Sequence, residues 1–269
     1  MEAVLTDQKF QSKKTNLFII LAGIFLTNAI LAEIIGVKIF SAEKSIGLSP
    51  AGWTFFGDYV LDFNLTAGAI IWPVVFVTTD IINEYFGKKG VRKISFLTAF
   101  FIAYIFIVIT VVTGLPPAPF WLTVTPVDDA GNAFNIDFAF NTIFRQGLGI
   151  IAGSLIAFLL GQLIDVFVFQ KLRAITGPSK IWLRATGSTV VSQFFDSFVV
   201  LIIAFYVFGD WTWPQVISVG IMNYIYKFVV AVMLTPMLYL GHSVIDRYLG
   251  KDTAQRMMDE ASSDTSFFN

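Results

Sequence analysis

Six stretches of the chain stay apolar for about 20 residues or more, the length that crosses ~30 Å of hydrocarbon at 1.5 Å per residue. They occupy 16–39, 65–86, 94–115, 145–170, 187–208 and 215–241. Strands of a membrane barrel are about ten residues long and alternate strictly. These segments are continuous and longer, so the pattern predicts an all-α, polytopic membrane protein with six transmembrane helices. Residues 1–15 form a segment before the first span, 16–246 the transmembrane domain and 247–269 a polar tail expected to be mobile. The Lys-containing leader has the look of a signal peptide. The apolar run behind it is too long and no small-residue cleavage site follows, so the first span is expected to be retained. The longest connection runs from Leu115 to Asn141, and its Phe120 and Trp121 suit the membrane interface. Any repeat of two three-span halves must be inverted, and the halves show no convincing match.

Polar positions interrupt this pattern where they are expensive. A charge at the bilayer centre costs about 2.5–3.5 kcal/mol on insertion scales. Asn28 and Glu33 lie in span one, and Asp80 and Glu84 toward the end of span two. Gln162 and Asp165 sit low in span four with Arg145 at its outer end. For Glu84, Asp165 and Arg145, all near span ends, a structural ion pair or an interfacial position reads as well as a functional role. On span five, Ser188, Thr189, Ser192, Gln193 and Asp196 fall within an arc of about 140°, opposite Val190, Val191, Phe194, Phe195 and Phe198. On span six, Gly220, Asn223, Tyr224, Lys227, Ala231 and Thr235 fall within about 120°. The two stripes either hydrogen-bond each other or line a polar cavity near mid-membrane, and the cavity is the favoured reading. Asn28 and Glu33 are about 140° apart on span one and are not expected to share a surface.

Gly149, Gly153, Ala157 and Gly161 recur every four residues on span four, which lets helices approach closely. Packing inside one subunit is the first reading and a homodimer contact the alternative. Pro73 and Pro236 are expected to break or kink spans two and six.

Composition sharpens the class. Of 269 residues, 56% are hydrophobic and 14% charged, against about 25% charge in soluble domains. A soluble globular protein is excluded. The net charge of −1 gives no basic surplus for nucleic acid. With no cysteine and the single His242, no metal centre and no cofactor ligand set is expected. The chain holds no G-x-x-x-x-G-K-[ST], H-E-x-x-H or G-x-S-x-G motif, so it is expected to be no enzyme and to hydrolyse no nucleotide itself.

Charge also sets orientation. Fourteen basic residues lie on one side: Lys9, Lys13 and Lys14, then Lys88, Lys89, Arg92 and Lys93 in the loop after span two. Lys171, Arg173, Lys180 and Arg184 fill the loop after span four, and Arg247, Lys251 and Arg256 follow span six. The opposite loops, 40–64, 116–144 and 209–214, hold Lys44 alone beside Glu43, Asp58, Asp62, Asp128, Asp129, Asp137 and Asp210. Both termini are therefore expected in the cytoplasm.

The order of these polar residues resembles the vitamin-uptake-transporter family of bacterial membrane proteins, in its branch of YhhQ-type queuosine precursor transporters. The likeness covers about residues 16 to 245. It rests on Asn28 with Ala32 and Lys38, on WPVVFVTTDIINEYFG from Trp72 to Gly87, and on the VRK that follows. It continues through Arg145, the GQLID of Gly161 to Asp165 with VFVFQKLR behind it, and WLRATGST leading to Gln193 and Asp196-Ser197. It closes with YIYK ending at Lys227 and with Pro236.

The resemblance implies inward transport, across a bacterial inner membrane, of 7-deazaguanine precursors carrying a cyano or an aminomethyl group. It also implies kinship with the substrate-binding components of energy-coupling-factor vitamin transporters, with no ATPase module expected. A guanine-like base offers two donors on its Watson–Crick edge, which one carboxylate accepts together. Asp196 with Gln193 is the first candidate for that edge, and Asp80 joins the substrate-binding set. Asn28 and Asn223 are candidates for the carbonyl and ring nitrogens, and Trp72 and Tyr224 for stacking. Lys227 either contacts the substrate carbonyl or neutralises Asp196. Glu33, Arg145, Gln162 and Asp165 are structural or gating candidates. Two other classes stay open: a substrate-capture subunit for another small heterocycle, and an ion or proton pathway through Asp80, Asp165 and Asp196.

Overall fold

The computed structural model describes residues 2–54, 60–145, 148–177 and 180–263. Helix α1 (Glu2–Ile35) takes in the polar leader as well as the first span. A small ribbon follows: β1 (Ile39–Ser41), the single turn α2 (Ala42–Ser45), β2 (Trp53–Thr54), β3 (Val60–Leu61) and β4 (Asn64–Thr66). β1 pairs antiparallel with β4, and β2 with β3. The all-α expectation therefore holds for the bundle and misses this outer connection. Glu43 organises it, its carboxylate accepting from the Phe63 amide at 2.7 Å, the Ser41 hydroxyl at 2.9 Å and the Ala51 amide at 3.3 Å. Asp58, counted above among the outer acids, lies outside the described residues.

Span two starts later than the hydropathy suggests. Residues 67–70 form a 3-10 turn, and helix α3 (Trp72–Val112) begins with Pro73 in its first turn. There the missing N–H costs nothing and the fixed φ favours the helix. Pro73 is thus a helix starter and not a kink.

At 41 residues, a straight α3 would be about 61 Å long, twice the hydrocarbon thickness. It is not straight. Gly87 adopts φ 63° and ψ −169°, a left-handed conformation that favours glycine. A Cβ on Gly90 would lie 3.3 Å from Cγ2 of Ile82, although eight residues of straight helix would separate them by about 12 Å. The chain turns a corner at Gly87, and its limbs, 72–86 and 88–112, take the places of spans two and three. The expected basic loop is this corner: Lys88 is buried and only Lys89 of the first pair is exposed.

The next connection carries the turn α4 (Pro119–Leu122) and the helix α5 (Ile136–Phe144), joined by an edge-on contact of Trp121 with Phe140. α6 (Leu148–Thr176) and α7 (Ile181–Leu201) form the tightest pair of the bundle. α7 continues through a π turn over Ile202–Val207. The small-residue stripe faces this partner. A Cβ would meet Cβ of Phe208 at 2.4 Å from Gly149 and the backbone nitrogen of Ala204 at 3.1 Å from Gly153. The stripe closes one helix on another inside the same chain.

α8 (Trp213–Met233) ends before the predicted limit of span six. Pro236 opens a separate helix, α9 (Thr235–Leu249), because it has no N–H to continue the ladder from α8. α10 (Lys251–Ser263) corrects the expectation of a mobile tail. Ala254, Met257 and Ala261 form a stripe at helical spacing and are buried against the Gly87 corner and α1. Lys14 pairs with Glu260 at 2.6 Å, Lys13 donates to the Leu249 carbonyl at 3.0 Å, and Arg173 donates to the Met258 carbonyl at 2.6 Å. α10 and the first turns of α1 therefore lie on one side of the bundle.

Candidate substrate-binding cavity

The polar arc of α7 is turned inward. Ser188, Thr189, Ser192 and Gln193 are buried, while Val191, Phe194 and Phe195 are exposed. With α3, α6 and α8 this arc encloses a cavity of two unlike walls. One wall is aromatic: Trp72 lies nearly parallel to Phe76 at 5.9 Å between ring centres and is tilted to Phe158 at 6.0 Å. Trp72 and Phe76 meet because they are one helical turn apart.

The other wall is polar. The Thr79 hydroxyl donates to Oε1 of Gln162 at 3.4 Å, and the Ser192 hydroxyl donates to Oδ1 of Asp165 at 3.3 Å. Gln193 is 6% exposed, and its Oε1 has no hydrogen-bond partner among the described residues. A buried acceptor left unpaired costs about 1–3 kcal/mol, which is a reason to look for a donor that arrives from outside. Lys227 on α8 forms an ion pair with Oδ2 of Asp196. Oδ1 of Asp196 faces Gly161, where an added Cβ would lie 3.8 Å away. The cavity has a volume of about 40 Å³. As it stands it has room for a few waters, so a bicyclic ring enters only if the walls part.

Of the candidates read from sequence, the cavity brings together Trp72, Gln193, Asp196 and Lys227, and adds Gln162 and Asp165 from the structural set. Asp80 lines a smaller neighbouring cavity instead. Asn28 donates to the Ile24 carbonyl of its own helix at 2.8 Å, the usual refuge of a lone polar side chain on a helix. Tyr224 stands edge-on to Phe194, 5.4 Å between centres, and neither it nor Asn223 lines either cavity. Arg145 is exposed at the C-terminal end of α5. Glu33 accepts from the Ser154 hydroxyl at 2.5 Å.

Phe76, Thr79 and Phe158 were missed. Phe76 and Thr79 continue the face of Trp72 at helical spacing, a signal available in principle. Among 29 phenylalanines, one more on an apolar helix stands out to no reader. Arg173 and Arg184, counted above as loop residues, are buried. Arg184 is 1% exposed and holds Glu84 through Nε at 3.0 Å and Nη2 at 2.6 Å, with Arg173 at 3.6 Å. Such a pair is retained only with near-complete hydrogen bonding, and it fixes α3 to α6 and α7 beside the cavity.

Long apolar helices around a polar pocket walled by aromatic rings define a multi-pass membrane transporter. The chain belongs to the vitamin uptake transporters: the family described as "Putative vitamin uptake transporter" matches residues 66–241. A protein named "Probable queuosine precursor transporter" from Bacillus subtilis (strain 168) is 31% identical over 186 residues, 68% of this chain and 75% of its own. One of the same name from Haemophilus influenzae is 28% identical, covering 64% and 66%. The "Queuosine precursor transporter" of Escherichia coli (strain K12) is 26% identical, covering 65% and 71%. No solved structure matches the chain.

Proposed function

We propose that the protein carries the cyano- and aminomethyl-substituted 7-deazaguanine precursors of queuosine inward across the bacterial inner membrane, and that the α3–α6–α7–α8 cavity is its binding site. The observation that carries this reading is the pairing of the Trp72–Phe76–Phe158 wall with the buried acceptor Gln193 and the half-buried carboxylate of Asp196. A flat base stacks on the first and presents its donor edge to the second. Lys227 fixes one oxygen of Asp196 and leaves the other toward the space beside Gly161. Gln193 supplies a second acceptor one helical turn away.

The six apolar limbs cross the membrane with both termini in the cytoplasm, as the distribution of basic residues favours. The protein catalyses no covalent reaction and acts without an ATPase module. The test is uptake of labelled precursors in cells that cannot make them, with excess guanine as competitor. Expression of the protein is expected to confer saturable uptake, and uptake no greater than in empty cells would refute the reading. Co-purification with ATPase subunits on which uptake depends would make the chain a capture subunit instead.

A further inference from the structure

Asp80 on α3 and Asp165 on α6 are 7% and 6% exposed. Each keeps one carboxylate oxygen, Oδ1 of Asp80 and Oδ2 of Asp165, without a hydrogen-bond partner among the described residues. They line adjoining cavities whose walls share Phe76 and Thr189. The cations around them are engaged elsewhere. Arg184 and Arg173 face Glu84, one turn along α3 from Asp80, and Lys227 faces Asp196. From α9, His242 is turned to the Tyr85 hydroxyl, which donates to Asp246, and Glu33 from α1 is held by Ser154. Neither Asp80 nor Asp165 makes an ion pair among the described residues. Two carboxylates buried at one partition, each with an oxygen unpartnered and neither with a cation, are not both stable as anions, so a positive charge has to accompany them.

We propose that Asp80 and Asp165 share one proton and form the coupling site through which an inward proton gradient drives uptake. This rests on the cavity being the substrate site. Asp165 lines that cavity and Asp80 the smaller one, while Phe76 and Thr189 line both, so the pair sits at the partition between them. The smaller cavity has a volume of about 10 Å³, room for about one water. It reaches the junction of α8 and α9 at Leu234 and Thr235. Such a passage relays a proton through a single water and is too narrow for a base or a hydrated metal cation. Among the described residues no group of three or more acidic, histidine or cysteine side chains gathers to hold a metal ion. In this arrangement the proton leaves by the smaller cavity and the base does not.

The protein reconstituted in liposomes separates this from the substrate assignment. Vesicles loaded with unlabelled precursor are expected to take up labelled precursor by exchange with no gradient imposed. Absence of exchange removes the substrate reading and the coupling with it. With exchange established, an outside-acid gradient of one pH unit is expected to raise accumulation about tenfold for one-to-one coupling, and a protonophore to abolish the rise. In Asp80→Asn and in Asp165→Asn, the ratio of gradient-driven accumulation to exchange is expected to fall to about one. A ratio as high as in the wild type in both variants overturns the proposal. Should both variants fail to fold, the wild type still decides: uptake alkalinises a lightly buffered exterior if a proton enters with each substrate. No alkalinisation, or accumulation that follows a sodium gradient and ignores pH, overturns it.

Discussion

Lys227 reaches from α8 to the carboxylate of Asp196 on α7, and the ion pair stands in the wall of the cavity with about a fifth of each side chain exposed, 22% and 24%. It joins two helices that also meet where Phe194 stands edge-on to Tyr224, and it sets which oxygen of Asp196 is left for a ligand. Lys227→Met and Asp196→Asn are each expected to lower unfolding stability by about 1–3 kcal/mol, less than a fully buried pair loses because water reaches both groups. The double variant should recover part of the loss. Strict additivity in that cycle would show the two residues uncoupled.

Gln193→Leu keeps the size of the side chain and removes the unpartnered acceptor. Folded yield should hold, and affinity for both the cyano and the aminomethyl precursor should fall about 5- to 150-fold, the worth of 1–3 kcal/mol. Loss for the aminomethyl compound alone, measured on purified protein, would place Gln193 at the substituent and not at the shared guanine-like edge.

Gly161 leaves open the space in front of Oδ1 of Asp196. Gly161→Leu is expected to fill it at little cost to the fold, since an added Cβ meets its first neighbour at an ordinary 3.6 Å. Binding should be lost, at least about tenfold, the equivalent of 1.4 kcal/mol. Normal affinity in this variant would move the site elsewhere.

The outer ribbon should loosen in acid. The backbone amide of Phe63, donating to Glu43, holds that carboxyl below the ordinary glutamate range. The folded form thus prefers the carboxylate, and the stabilisation is complete above the unfolded value of about 4.3. It is lost as pH falls through the lower folded value. Hydrogen exchange at Ala51 and Phe63 should rise over that window, and Glu43→Gln should flatten the dependence.

Orientation is open to thiol labelling in whole cells. Cysteines at the exposed positions Lys89 and Lys180 are expected to react with impermeant reagents only from the cytoplasmic side, and one at Asp128 only from outside. Lys88 is unsuitable because it is buried. Reversed labelling would invert the topology.

The faces of the helices were legible in the sequence, because apolar and polar residues on α7 repeat with the helical period and one phase suffices to place them. Gln193 and Asp196 came from that phase, and Lys227 from the matching arc on α8. The stacking wall was not legible: Phe76 and Phe158 differ from the lipid-facing phenylalanines only in what they touch. Asn28 shows a different ambiguity, since a side chain that bonds its own helix looks in sequence like one waiting for a ligand. Connections were harder still. Gly87 encodes a corner through one backbone dihedral, and hydropathy sees four lysines and arginines and supplies a loop. The burial of Arg184 depends on Glu84, 100 residues away, and no local pattern carries that information.

The docking of α10 onto the Gly87 corner sets an order on biosynthesis. Gly87 leaves the ribosome long before Ala261, and at about 5–20 residues per second the intervening chain takes roughly 10–35 s to make. Through that interval the first helices sit in the bilayer without the segment that caps them, and Arg173 waits for the Met258 carbonyl. The bundle is therefore completed only after its last apolar helix has been made, and a message cut short after Leu249 would yield an inserted protein whose Gly87 corner stays uncapped.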